Sequence, residues 1–476
     1  MRRTPILIAA ALAGCGWLSA QSALPAAPGP RVIAVPQAQP GVKPAFLAQA
    51  AAASQTPAPT IAAPSATASL LQLTLAQAEQ MAIRNNPRVS AGKLLALAQH
   101  EVTREAKSAE LPTANAAATA VQAEEGSRLS AGSLTASRLL QHVGGGANFT
   151  QLIYDFGHTS NLVLSRKLEE KASNASALAT AEEIVLATDQ AFYDALTAQA
   201  ELNVARQTVD ARQATETQVG EMTRNKLKST LDLSFADVDL SQAQLFQLDA
   251  QDNADATMAA LDAVLGIDHN VQYALVEDTT PPPPPPAPEP LIQTALQQRP
   301  DLQSLSYDTQ SAQKFARAQW DQLLPSISAA GTAGIVPVHP GTYYIANWWG
   351  AIGGNVNIPI FNGFLYTSEA KEAKYRAQAA AENTRDLRDR IVRDVRTSWL
   401  QANMGWQRMK VTAQLAQQAN LAMNLAQTRY KLGLSSIVEL SQAQLQQTSA
   451  QIQDTSARYQ YRLSLATLSY ETGVRP

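Results

Sequence analysis

Asp232 and Glu439 occupy matching places, each three residues after a serine, in Ser229-x-x-Asp232-Leu233-x-x-Ala236 and Ser436-x-x-Glu439-Leu440-x-x-Ala443. An acid that close behind a turn lies in the first turn of a helix, where the dipole favours it by about 0.3–1 kcal/mol. Other arrangements that could do chemistry are weaker. The five histidines, His100, His142, His158, His269 and His339, include no two at metal-ligand spacing, and there is no His-Glu-x-x-His pattern. Gly144-Gly145-Gly146 lacks the lysine of a phosphate loop and reads as the start of a strand, where glycine allows tight curvature. No Gly-x-Ser-x-Gly elbow appears. Asp386, Asp389 and Asp394, interleaved with Arg385, Arg388, Arg390, Arg393 and Arg396, read as a solvated helix face laced with i,i+4 pairs, or as the lining of a water-filled tunnel. These patterns point away from an enzyme and require neither metal nor cofactor.

The two acids belong to a pattern that runs through the whole chain. Ala82 to Pro87 (AIRNNP) returns as Ala295 to Pro300 (ALQQRP), and Leu111-Pro112 returns as Leu324-Pro325, at a spacing of 213. Tyr154-Asp155-Phe156-Gly157 is answered by Ile360-Phe361-Asn362-Gly363 at 206, a spacing that carries Tyr193 onto Trp399. For the serine–acid motifs, and for Gly266 and Gly473, the spacing is 207. So small a drift places the insertions in loops, and the chain reads as one structural unit built twice.

Proline and glycine say which elements hold these motifs. No proline occurs between Pro112 and Pro281, or between Pro359 and Pro476, and His158 to Leu265 contains one glycine, Gly220. Proline costs a helix interior roughly 3 kcal/mol and glycine about 1 kcal/mol, so such depletion is what long helices require. Breakers return at Gly157, Lys226 to Thr230 and Gly266, and again at Gly363, Leu432 to Ser436 and Gly473. Each half therefore carries a helix of about 68 residues, roughly 100 Å long, then a tight turn and a shorter returning helix. Thr74 is a plausible N-cap for an earlier helix through Arg84.

Composition agrees with this architecture and narrows the compartment. A net charge of -3 gives no electrostatic reason to expect nucleic acid, and aromatics are scarce at 6%. Arg2-Arg3 followed by the apolar run Ile6 to Leu12 reads as an export signal. Leu12-Ala13-Gly14-Cys15 fits the bacterial lipoprotein box, in which the cysteine becomes the lipidated first residue; cleavage near Ala20-Gln21-Ser22 is the alternative. Gly16 stands where an inner-membrane retention signal would place Asp. Nowhere else do about 18 apolar residues run together, so no membrane-spanning helix is expected. The expected organisation is a signal peptide with lipoprotein box over 1–15, an Ala/Pro-rich tether over 16–70, a first unit over 71–275, a Pro-rich connector over 276–290 and a second unit over 291–476.

The segments before the long helices alternate. Ser326 to Ile335 sets Ile327, Ala329, Ala333 and Ile335 on one face and Ser326, Ser328 and Thr332 on the other; Asn355 to Ile360, Asn148 to Thr150 and, more weakly, Thr113 to Gln122 behave similarly. These read as four strands of about ten residues, two per half, each pair forming a hairpin. Tyr343, Tyr344, Trp348 and Trp349 cluster at the second hairpin's tip and suit a membrane-interface girdle. Amphipathic strands of this length in an exported chain point to an outer-membrane β-barrel. Four strands cannot close one alone, and an open edge in lipid leaves its N–H and C=O groups unsatisfied, so two, three or four copies must join. The rival reading is a secreted fibrous coiled-coil protein, structural or adhesive, without a pore.

The second turn, Arg429-Tyr430-Lys431-Leu432-Gly433-Leu434-Ser435-Ser436 and onward to Gln444, resembles that of the TolC-type outer-membrane channel family. The first turn, Lys228 to Ala236, the strand ends and the internal repeat do so as well, over roughly residues 70 to 475. The resemblance implies a mixed α and β membrane protein. In it, three copies close a 12-stranded β-barrel, four strands each, that continues into a long α-helical coiled-coil barrel. It also implies a homotrimer in outer-membrane lipid, working with a periplasmic adaptor and an inner-membrane pump of RND or ABC type. By position, Lys228, Ser229 and Thr230 on the first turn and Gly433, Leu434 and Ser436 on the second become adaptor contacts. Asp232 and Glu439 become candidates for the periplasmic gate. Gln442 stands where some relatives carry a second acid, and Lys226 stands where the second turn has Gly433.

Overall fold

The computed structural model describes residues 71–122, 128–131, 134–138, 142–267, 273–277, 281–335 and 348–474. The expected signal peptide, Cys15, the tether, Tyr343 and Tyr344 lie outside the described residues. Residues Ala68 to Pro476 form one compact unit.

In chain order the elements are β1 (Leu71–Leu73), α1 (Leu75–Asn85), α2 (Pro87–Ser108), β2 (Thr113–Val121), β3 (Arg128–Ala131), β4 (Leu134–Arg138), β5 (His142–Tyr154), α3 (His158–Arg224) and α4 (Thr230–Leu265). After them come β6 (Tyr273–Leu275), α5 (Glu289–Gln298), α6 (Pro300–Asp321), β7 (Ser326–Ile335), β8 (Trp348–Asn357), α7 (Leu365–Lys431) and α8 (Ile437–Thr472). Mixed α and β structure is therefore observed, mostly helical. The sequence reading had not found the β3–β4 ribbon, or the parallel pairing of β1 with β6.

Helices of the two halves match in length. α2 and α6 have 22 residues each, α3 and α7 have 67, and α4 and α8 have 36. α3 and α7 start at His158 and Leu365, 207 residues apart, and the two left-handed residues before each, Phe156 and Gly157 in the first half, Gly363 and Phe364 in the second, keep that spacing. That offset sets Tyr193 against Leu400, not Trp399, and corrects the spacing of 206 for this stretch.

The helix ends are chemically specified. Thr74 accepts from the Gln77 N–H and Gln77 reaches back to the Thr74 N–H, which caps α1. Gly266 (φ 70°) and Gly473 (φ 68°) end α4 and α8 in the left-handed conformation. A Cβ on Gly266 would also come within 2.9 Å of the Asn85 carbonyl, so this glycine both stops a helix and admits the end of α1.

Four helices lie side by side at each level. Near the sheet they run α2, α3, α6, α7; toward the turns they run α4, α3, α8, α7. Their seams are filled by small residues. Ala198, Ala205, Ala250 and Ala254 pack with Leu202 along the first hairpin, and Ile292, Ala295, Leu302, Ile391 and Val395 pack where α5 and α6 meet α7. The Pro-rich connector, from Pro281, is held against the second hairpin: the Tyr461 hydroxyl donates to the Pro282 carbonyl (2.6 Å) and the Trp399 Nε1–H to the Pro285 carbonyl (2.8 Å).

The main sheet has the order β2-β5-β7-β8 and is antiparallel throughout. Pairing of β5 with β7 joins the two hairpins into one ribbon. Its register gathers Phe149, Ile327, Ile335, Trp348, Ile352 and Val356 on one face and Asn148, Ser326, Ser328, Thr332, Asn355 and Asn357 on the other. The outer edges of β2 and β8 pair with no strand among the described residues.

Candidate functional site

At the far end of the helices the two turns adopt the same backbone. Lys226 (φ 60°) and Gly433 (φ 75°) take the left-handed position. The Leu227 N–H then donates to the Met222 carbonyl (2.8 Å), and the Leu434 N–H to the Arg429 carbonyl (2.8 Å), closing each helix end. Leu227, Leu432 and Leu434 are left exposed at the apex.

Behind the turns, the acids are handled differently. Ser229 Oγ accepts from the Asp232 N–H (3.1 Å), and an Asp232 carboxylate oxygen accepts from the Ser229 N–H (3.3 Å). Ser436 Oγ likewise accepts from the Glu439 N–H (3.3 Å), but the Glu439 carboxylate turns to Arg429 (3.2 Å) on the preceding helix. Lys228 Nζ lies 4.5 Å from the centre of the Tyr430 ring, a cation–π contact that joins the first turn to the second hairpin. Tyr430 is 2% exposed, and its hydroxyl has no hydrogen-bond partner among the described residues. Burial pushes its phenol up from the ordinary range, and the negative charge of Asp232 adds to this. Val219, Ala236, Met423, Ala426, Ile437 and Leu440 pack around it. Lys228 and Asp232 are thus brought to the second hairpin, whereas Glu439 stays with Arg429.

Further from the turns lies a polar cluster that sequence reading missed. Arg212, on α3, is 8% exposed. Its guanidinium donates to the Gln444 side-chain carbonyl on α8 and pairs with Asp239 on α4 (3.2 Å). The Ser441 hydroxyl donates to Asp239 (2.5 Å), and the Gln444 amide to Thr215 Oγ1 (3.3 Å). Burial draws the Arg212 guanidinium down from its ordinary value, and the Asp239 charge opposes that. The offset of 207 sets Arg212 against Ala419, and that mismatch was the available signal.

Consecutive residues on a strand face opposite ways, so Trp348 and Trp349 cannot share a girdle. Trp348 lies with Ile335 and Ile352 on the apolar face. Trp349 lies on the polar face, its ring over Gly334 and Gly146; a Cβ at 334 would come within 2.9 Å of it. Within the triple glycine, a Cβ on Gly146 would come within 3.1 Å of the Ala333 carbonyl, so this glycine admits the neighbouring strand β7. An apolar belt appears instead at the strand–helix junctions: Tyr154 meets Phe156 (4.8 Å between rings), Phe361 meets Phe364 (5.6 Å), and Ile360 is 93% exposed. Within the charged stretch of α7, Arg390 pairs with Asp386 (3.0 Å, i,i+4) and Arg393 with Asp394 (2.7 Å).

Residues 291–474 match the family model described as outer membrane efflux protein. A stretch of 122 residues is 25% identical to the outer membrane protein TolC of Salmonella enteritidis; it spans 26% of this chain and 25% of that protein. Among solved structures, the CusC channel superposes with a TM-score of 0.74 at 16% identity, covering 85% of this chain and 93% of CusC. The CmeC outer membrane channel of Campylobacter jejuni does so with a TM-score of 0.74 at 18% identity, covering 84% and 85%. Residues 291–474 thus match the outer membrane efflux protein family, and the chain has the fold of the outer-membrane channels CusC and CmeC.

Proposed function

We propose that the chain is the outer-membrane channel of a tripartite export system, a passive conduit for drugs, small molecules or secreted proteins from the periplasm or an inner-membrane pump to the exterior. In this reading the chain is a twofold repeat. Three copies join edge to edge, their twelve strands close a barrel, and their helices continue it as a coiled-coil tunnel across the periplasm. The observation that carries the reading is the main sheet: strands of 9, 13, 10 and 10 residues, one apolar face, one polar face and two outer edges that pair with no strand among the described residues. In lipid, each unpaired backbone group costs several kcal/mol, and a closed ring of copies removes that cost. The apolar face then meets lipid and the polar face lines water. Tyr343, Tyr344 and Trp348 mark the outer interface, and a lipid on Cys15 adds an anchor.

A periplasmic adaptor docks on the turns, at Lys228, Ser229, Thr230, Gly433, Leu434 and Ser436, and parts the helices; an RND or ABC pump supplies the cargo. Asp232 and Glu439 border the aperture that opens. Purified protein in a planar bilayer should give discrete ion currents, and absence of any current contradicts the reading. Glu439→Ala should raise basal conductance; unchanged conductance removes Glu439 from the gate. The fibrous-stalk alternative accounts for the long helices but not for a sheet with opposed apolar and polar faces. A stalk would be released by salt and would pass no current.

A further inference from the structure

We propose that the cavity between α1, α3 and the end of α8 binds a small primary ammonium ion, with Asp189 as the acceptor that anchors it. This site does not depend on the channel reading.

Glu182 and Asp189 stand about two turns apart on α3 and so share one of its faces. Glu79 joins them from α1, and Ala466, Ser469 and Tyr470 of α8 form the opposite wall. The cavity between them has a volume of about 50 Å³, where a single water needs roughly 10–15 Å³. Asp189 is 7% exposed, and its Oδ1 has no hydrogen-bond partner among the described residues. The Ser469 hydroxyl in the same cavity wall donates to the Val474 carbonyl instead. Among the described residues, no lysine, arginine or histidine lines the cavity. Arg299, over the Tyr470 ring, is held by Asp301 and Glu471. A buried carboxyl oxygen in that position is costly until a donor reaches it.

Helix packing does not require acids here. In the second half Ile292 takes the place of Glu79 and packs with Ile391 and Val395. The chemistry of the walls selects the occupant. A primary ammonium brings N–H donors to Oδ1 and a positive charge to the carboxyls. Its alkyl stem meets Val185, Leu186, Ala466 and Val474, apolar neighbours that would not replace the water around a metal ion. Nor do any three acid, histidine or cysteine side chains among the described residues stand together as metal ligands. Burial, with Glu79 beside it, pushes the Asp189 carboxyl up to about 8, so at lower pH a proton competes with the cation. The other titratable groups facing it are Glu79, Glu182 and Tyr470, with Glu183, Arg299, Asp301 and Glu471 around the tyrosine.

Equilibrium dialysis of the full-length, detergent-solubilised protein against radiolabelled methylammonium tests the site. Binding at about pH 9 should saturate at one ion per chain. Affinity should fall by up to about tenfold per pH unit below about pH 8. Potassium, and tetramethylammonium, which has no N–H, should not displace the bound ion. Asp189→Asn should weaken binding by about tenfold or more, the loss of one hydrogen bond between charged groups. Ala466→Leu fills the cavity while keeping every carboxyl, and should abolish binding. Glu101→Gln, which removes an exposed ion pair with Arg104 on α2, should bind as wild type does. Absence of saturable binding overturns the site, and so does wild-type affinity in folded Asp189→Asn or Ala466→Leu. Binding that appears only in Arg475→Ala also overturns it, because the occupant would then be the chain's own cation.

Discussion

The first half of the chain and the second have helices of equal length, 22, 67 and 36 residues, yet fill corresponding places with different chemistry. Lys226 faces Gly433 across the offset of 207, Arg212 faces Ala419, and across the offset of 213 Glu79 faces Ile292. The backbone path is held by helix length and by breakers at the ends. Side chains are then free to diverge: Arg212 is buried where its counterpart is an alanine, whereas Lys226 stays exposed at its turn. Substitutions at these pairs can break or sharpen the contrast.

The largest effect belongs to the acids of the first half. Asp189 is 7% exposed beside Glu79, whereas Ile292 packs with Ile391 and Val395. Burial, with the Glu79 carboxyl next to it, pushes the Asp189 carboxyl up to about 8 from 3.8. As pH rises from about 4 to about 8, the unfolded chain releases this proton and the folded chain keeps it. Stability therefore falls across that window and levels off above it. Asp189→Asn removes the penalty, so its advantage in thermal midpoint over wild type should grow from pH 4 to pH 8 and then stay constant. An advantage independent of pH contradicts the assignment.

A smaller effect separates the turns. Gly433 has open space around its missing side chain, so Gly433→Val meets only the left-handed backbone penalty, about 1–2 kcal/mol. Lys226 already bears that strain, and Lys226→Gly should stabilise its turn by up to about 1 kcal/mol. Amide hydrogen exchange in the two turns should quicken in the first variant and slow in the second; shifts in the same direction would mean that the turns are not equivalent. Smaller still is the difference between the caps. Ser229→Ala and Ser436→Ala should each cost about 1 kcal/mol, with Ser229→Ala the smaller because the Asp232 carboxylate still accepts from the backbone N–H at 229. Melting of the paired single variants checks the order.

Much of this was legible in the residues. Absence of proline from 113 to 280 and from 360 to 475 announced α3, α4, α7 and α8, and Gly266 and Gly473 marked their ends, because breakers act locally. Alternation announced β7 over its whole length for the same reason, but β8 only at Asn355 to Asn357: that strand runs back to Trp348 and stops before Ile358. What stayed hidden depends on meetings across distance. Arg212 and Gln444 are 232 residues apart, and nothing near either says they touch. Trp349 looked like part of an aromatic tip until register set it against Gly334, on the face opposite Trp348. The offset of 207 was hidden because residue type pairs Gly157 with Gly363, whereas the backbone pairs Gly157 with Phe364, the left-handed N-caps of α3 and α7.

The account depends on three four-stranded sheets meeting at their bare edges. Native mass spectrometry of the detergent-solubilised protein measures that directly. A dominant species at three times the mass of the mature chain is expected. A stable species of one or two copies that still conducts ions would contradict it.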